Sequence, residues 1–393
     1  MIKSATMFTY EVDDPEEAVQ EILGQLSSGP PLLKNTVGII MCDVEFIDTG
    51  VLKAVCRALP FPTVGATSAM QAVNGETGDL ILTVMVLTSD DVCFEPGLTN
   101  SVFDNELSEA TRRAYETIQQ RRGTVDPPAM IFMFPPLRLR CSGDDYVAEW
   151  EEICGKIPLF GMLAIEDDIK FEQCATIFNG ETYRDGHAFI LVYGEIKPRF
   201  FVGAIQNKRT LPHTGIITKA DGHRLLEIND IRAADYFESI GLAKNGALDS
   251  GVQFVPLMVD FKNRPDYDGV SVARIMVHLD EEGAGVCVGA VESGATCSFG
   301  TCNPEDALAT AEQIAKQIAA LPDVQVILMC SCYVRKVVFG LEPLKEAQMI
   351  LNVLPKNIPY MLSYAGGEIC PTTVTDGQII NHFHNFSFIA CVL

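Results

Sequence analysis

Strand-length apolar runs alternate with amphipathic helical stretches along the chain, and the beginning and end follow one plan. Near the start, Asp14-Pro15-Glu16-Glu17-Ala18-Val19 supplies a helix cap, a proline at the first helical position and acidic residues in the first turn. Val19, Ile22, Leu23 and Leu26 then share one face at helical spacing. A strand-like segment precedes this helix around Ala5 to Tyr10, and the buried-strand run Val37 to Cys42 follows it. Near the end, Asn303-Pro304-Glu305-Asp306-Ala307-Leu308 repeats the cap, and Leu308, Ala311, Ala315 and Ile318 repeat the face. Its flanking strands are expected at Ala295 to Thr301 and Val326 to Cys330.

Each copy continues through a helical stretch, Val51 to Leu59 or Leu344 to Leu354, into a proline-led strand with a small-residue turn. The turns are Pro62 to Ala69 and Pro359 to Glu368, and the closing strands are Leu80 to Leu87 and Phe386 to Leu393. A looser third copy occupies the middle: a helix from Glu106 to Arg121, the run Met130 to Phe134, a helix from Val147 to Cys154, Pro158 to Gly161, and Phe189 to Tyr193. Repeated β-α-β units predict an α/β protein of two domains, with mixed β-sheets flanked by helices. A polar, basic link from Lys197 to Pro212 sets the expected boundary, giving domains 1–205 and 206–393. Beyond it, Thr214 to Gly222 reads as strand and turn, Ile231 to Leu242 as a helix, and Asn263 to Gly269 as an exposed loop.

Composition narrows the function. Lys and Arg number 29 against 52 Asp and Glu, and the net charge of -23 disfavours nucleic acid and anionic membrane as partners. No run reaches the roughly 18 apolar residues of a membrane helix. The acidic N-terminus lacks the basic and then apolar layout of a signal peptide, so a cytoplasmic protein is expected. The 13 cysteines lie mostly in apolar runs, where a free thiol packs as a small hydrophobe.

Motifs for chemistry are sparse. There is neither a phosphate loop nor a dinucleotide fingerprint, and Ser68 in Gly65-Ala66-Thr67-Ser68-Ala69 lacks the glycine a nucleophile elbow requires. Cys297, Cys302, Cys330 and Cys332 fit no zinc spacing; neither a metal nor another cofactor is expected. His382 and His384 fall on one face of a strand. The densest polar set is Arg335, Glu346, Ser363, Tyr364, Glu368, His384 and Asn385, on otherwise apolar elements. A guanidinium, a carboxylate and an amide together suit a zwitterion such as an amino acid, and Arg335 with Glu368 equally suits an internal ion pair. Cys332 with His384 leaves open a thiol-dependent hydrolase or transferase.

The stretches Cys332-Tyr333-Val334-Arg335, Gly340, Glu342, Ser363 to Ile369 and Phe383 to Phe388 resemble, in order and spacing, the C-terminal half of the FIST family. Asp14 to Ala18, Gly65 to Ala69, Lys156 to Gly161 and Thr218 to Gly222 are similar to its N-terminal and mid-chain signatures. The resemblance implies a bacterial sensory module that catalyses nothing, binds a small polar ligand such as an amino acid, and signals through a separate protein. It implies ligand-binding roles for Arg335, Glu368 and Asn385, with Tyr364, Ser363, His384 and Cys332 around them. At Met70-Gln71-Ala72 and at Met162 to Ile165 the chain departs from the family pattern.

Overall fold

In the computed structural model, which describes residues 1–102, 107–124, 126–137, 141–168, 171–204, 210–249, 255–261, 271–300, 303–373 and 379–393, three six-stranded sheets share one order of strands. The first sheet runs Lys3–Thr9, Leu82–Ser89, Asn35–Cys42, Thr63–Thr67 and then the hairpin Thr176–Phe178 with Glu181–Tyr183. The second runs Cys93–Leu98, Ala188–Tyr193, Met130–Phe134, Leu159–Met162 and the hairpin Glu368–Thr373 with Ile379–His384. The third runs Arg199–Gly203, Phe388–Val392, Ile327–Cys332, Tyr360–Ala365 and the hairpin Gln71–Val73 with Glu76–Gly78. In each sheet the hairpin comes from another part of the chain. The exchange is cyclic, so the sheets close into a ring.

Local chemistry explains the elements. The Asp14 carboxylate accepts from the N–H groups of Glu16 and Glu17, and the Asn303 side chain accepts from Asp306, as the cap patterns predict. The helices Pro15–Ser28 and Val51–Ala58 cover the outer face of the first sheet, Leu107–Arg122 and Gly143–Cys154 the second, Pro304–Ala319 and Lys345–Val353 the third. Gly65 and Gly161 sit where parallel strands pass closely. A side chain there would stand 1.6 Å from the Ile40 carbonyl oxygen or 1.9 Å from that of Met133.

The inner faces meet on the ring axis, where Ile39, Met41, Phe132, Phe134, Leu328 and Cys330 surround a cavity of about 20 Å³. Ser68, the residue of the elbow-like turn, ties the ring instead of reacting: its hydroxyl bonds the Tyr364 carbonyl at 2.9 Å and the Tyr364 N–H at 3.1 Å.

Between Arg199–Gly203 and Pro304–Ala319 the chain builds a seven-stranded sheet with its own apolar core. The segment Thr296–Gly300, expected as the opening strand of the last β-α-β unit, pairs inside this insert; Arg199–Gly203 takes that place in the ring. The helix expected at Ile231 to Leu242 shortens to Ala233–Ser239, because Ile231 and Arg232 pair with Ile228 and Glu227. The expected boundary after residue 205, the Asn263 to Gly269 loop and Glu106 at the start of its helix lie outside the described residues. Among the described residues, no helix is long and apolar enough to cross a membrane.

A buried guanidinium clasps the insert to the ring. Arg274 is 0% exposed and donates to the Phe383 carbonyl at 2.8 Å, the Ala290 carbonyl at 2.9 Å and the Asp144 carboxylate at 2.8 Å. Asp144 belongs to the helix Gly143–Cys154, whose first residue packs so tightly that a side chain would meet the Phe383 ring at 2.0 Å. Removing one partner of a buried pair strands the other charge. Arg274→Ala is therefore expected to lower unfolding free energy by about 3–5 kcal/mol in urea titrations, and an unchanged midpoint would show that the clasp holds nothing.

Candidate functional site

Two polar clusters lie at the carboxyl end of the third sheet's central strands. The parallel register sets Ser331 beside Tyr364, and the helix Lys345–Val353 brings Glu346 over both. The short helix Tyr333–Val338 adds Arg335. Arg335 donates through Nε to Glu346 Oε1 at 3.1 Å, through Nη2 to the same oxygen, and through Nη2 to the Ala307 carbonyl at 2.7 Å. Ser331 and Tyr364 donate to the other carboxylate oxygen, Tyr364 at 3.0 Å. Arg335, Glu346, Ser331 and Tyr364 are all 0% exposed. Burial and the adjacent Glu346 charge push the Tyr364 phenol far above its ordinary pKa.

This geometry corrects the expected pairing of Arg335 with Glu368. Glu346 occupies the guanidinium because both side chains stand on helices over the same sheet face, whereas Glu368 leaves the third sheet for the second. Gly366 and Gly367 make that crossing.

Glu368 pairs with Met162 on one side and His384 on the other and is 0% exposed. Its Oε2 accepts from the Ser387 hydroxyl at 2.7 Å and the Ser387 N–H at 3.3 Å. Its Oε1 has no hydrogen-bond partner of normal geometry among the described residues. Burial pushes this carboxyl up to about 8, opposed by Ser387, the Cys332 thiol and the more distant Arg335 charge.

The other expected site residues surround this carboxyl without forming a catalytic pair. Burial drives the Cys332 thiol far upward, and the Glu368 charge adds to it. His384 Nε2 meets the Cys370 carbonyl at 3.0 Å, and burial holds its pKa down at about 4. A nucleophilic thiolate with an imidazolium needs both shifts reversed. Asn385 donates to the His384 carbonyl at 3.1 Å and accepts from the Ile275 N–H of the insert at 3.4 Å. Ser363 lines the axial cavity with Cys330. The rings of His382 and His384 lie 5.7 Å apart on one buried strand face.

Asp144, Arg274, Ser387 and Gln71 escaped sequence reasoning. Arg274 had a signal: a guanidinium inside Val272-Ala273-Arg274-Ile275-Met276 needs a buried partner. Gln71 and Ser387 had none, since an isolated polar residue among apolar ones does not say which strand will face it. For metals, Cys297 belongs to the insert while Cys330 and Cys332 belong to the ring, and Cys302 lies outside the described residues. The one carboxylate group close enough to hold an ion among the described residues is the partly exposed set Glu11, Glu17 and Glu21.

A family model of the FIST N domain matches residues 36–231, and one of the FIST C domain matches residues 233–371. No curated protein matches the chain. Among solved structures, the crystal structure of cyanuric acid hydrolase from A. caulinodans aligns over 100% of this chain and 99% of that one, at 10% identity and a TM-score of 0.36, a similarity too slight to bear on fold or function.

Two outcomes are expected. Glu346→Ala leaves the buried Arg335 charge uncompensated and should lower stability by about 3–5 kcal/mol in urea titrations; a loss no larger than that of a surface substitution would show the network to be incidental. The second concerns pH. A carboxyl that stays protonated up to about 8 when folded, against 4.5 otherwise, binds more protons in the folded state. Its stabilisation is complete below about pH 4.5 and is lost as pH rises toward about 8. Asp43, pushed to about 8 by burial and by sharing a hydrogen bond with Glu45, contributes with the same sign. Glu368→Gln should flatten this decline and leave the Asp43 part; an unaltered slope would mean that Glu368 ionises as an ordinary surface carboxyl.

Proposed function

Because the chain belongs to the FIST family, we propose that it is a sensory protein that binds a small polar ligand, an amino acid being the candidate class, and passes its occupied state to a separate signalling protein. The observation that carries this reading is Glu368: a fully buried carboxyl with one oxygen unpartnered among the described residues, beside the insert-facing residues Asn385 and Phe386. A buried acceptor left open costs about 1–3 kcal/mol. A ligand donor at that oxygen would remove the penalty, and binding there would be felt at the insert contact.

Arg335 can serve as an anion anchor only by releasing Glu346, so a ligand carboxylate would replace that side chain in the network. Ser363, Tyr364, Cys332, His384 and Asn385 shape the surroundings. The protein acts as a binder, not an enzyme; the upward-shifted Cys332 thiol and the downward-shifted His384 support this. A bacterial cytoplasm is the proposed location, supported by the free state of all twelve cysteines among the described residues. The shared strand order of the three sheets supports a chain built from three copies of one β-α-β plan.

The test is a thermal-shift screen of the common amino acids, followed by calorimetry. A ligand of the folded state should raise the melting temperature with the logarithm of its concentration above Kd, and Glu368→Gln should weaken it. If no amino acid or related small polar solute shifts the transition, the sensory reading fails.

A further inference from the structure

Two of the exchanged hairpins present an acceptor at the same register position. Gln71 pairs with Ser363, and Glu368 pairs with Met162; in the remaining hairpin Thr176 pairs with Ala66. Directly paired residues share a sheet face. Ser363 and Cys330 line the axial cavity and pair with each other, so Gln71 faces the axis. Glu368 is on that side too, because its strand partner Met162 stands two residues from Phe160, which lines the same cavity.

Each side chain is fixed at one end and open at the other. Gln71 Nε2 donates to the Ser68 carbonyl at 2.7 Å, which leaves Oε1 as the free end. Ser387 holds Glu368 Oε2 at 2.7 Å, which likewise leaves Oε1. Both residues are 0% exposed, and among the described residues neither free oxygen has a partner of normal geometry, the Cys332 thiol being the weak donor that acts on the Glu368 carboxyl. Thr176 differs: its hydroxyl accepts from the Ala188 N–H at 3.1 Å and donates to the Gly65 carbonyl at 3.3 Å. When Glu368 is ionised, the ring therefore opens two acceptors toward its axis and offers them, among the described residues, only the Cys332 thiol, a weak donor, beside Glu368. Arg335 does not fill the need, since its bonded N–H groups go to Glu346 and Ala307.

Most buried polar groups in folded proteins are paired, so two open acceptors facing one axis suit a donor from outside the chain. We propose that Gln71 and Glu368 together bind the protonated amine head of a small ligand. An ammonium group carries three donors and no acceptor, which complements two oxygens, whereas a carboxylate or phosphate would meet them oxygen to oxygen. The axial cavity of about 20 Å³, lined by Ser363, the strand partner of Gln71, has room for one water-sized group, the size of such a head. The inference rests on the sensory reading and deepens it by naming the part of the ligand that Glu368 recognises.

The experiment uses the full chain and measures thermal stability and calorimetric binding with ammonium chloride. Sodium chloride and tetramethylammonium chloride at equal ionic strength are the controls, the latter bearing charge without an N–H donor. Ammonium should stabilise the protein saturably and the controls should not. Its apparent Kd should rise at least tenfold in Glu368→Gln and in Gln71→Met, both close to isosteric, with circular dichroism confirming that each variant folds. A response equal for tetramethylammonium, one that survives in both variants, or no saturable response to ammonium overturns the assignment. If an amino acid from the screen still binds wild type and both variants alike, this site falls while the sensory reading stands; if ammonium and the whole screen fail, both fall.

Discussion

The cyclic exchange of hairpins is the constraint on which the molecule depends. A sheet made only from one contiguous stretch would end at Thr63–Thr67, Leu159–Met162 or Tyr360–Ala365, with that strand's backbone donors and acceptors open along one side. Each of these strands instead accepts a hairpin from elsewhere in the chain. Backbone satisfaction on that side of every sheet is thus a property of the whole ring. The apolar axis follows from the same closure, because the inner faces carrying Ile39, Phe132 and Leu328 have nothing to bury against except one another.

Closure also decides where charge can reside. The crossing from the third sheet to the second carries Glu368 into the interior, and the clasp at Arg274 seals the insert over the segment from His384 to Ser387. Two buried carboxyls in this region have opposite circumstances. Glu346 receives donors from Arg335, Ser331 and Tyr364, an arrangement that satisfies both oxygens. Glu368 is satisfied on one oxygen alone and responds by holding its proton to about pH 8. One carboxyl braces the fold; the other is set up to respond to what arrives.

Much of this fold was legible in the sequence because its signals are local. The Asp14 and Asn303 caps, the apolar runs at 37–42 and 326–330, and the proline-led strands each act within a few residues, and each took the expected form. Partner choice was not legible. The sequence around Gln71 says that it lies in a short apolar segment, but not that it will pair with Ser363, about three quarters of the chain away. The same limit explains the misassigned strand Thr296–Gly300, whose β pattern is genuine and whose sheet belongs to the insert. In the candidate site, the polar residues that stood out on apolar elements are buried, yet Arg335 met Glu346 and left Glu368 to Ser387. Helix geometry over a sheet made that choice, and spacing along the chain does not encode it.

The order in which the sheets can be finished has its own consequence during synthesis. As the chain leaves the ribosome, the first sheet has all its strands once Glu181–Tyr183 has emerged. The second must wait for Ile379–His384 and the third for Phe388–Val392, far later in the chain. Throughout that interval Leu159–Met162 is an unfinished edge able to recruit strands from neighbouring nascent chains. Yield in a cell would then be governed less by the stability of the finished ring than by how long that edge stays shielded.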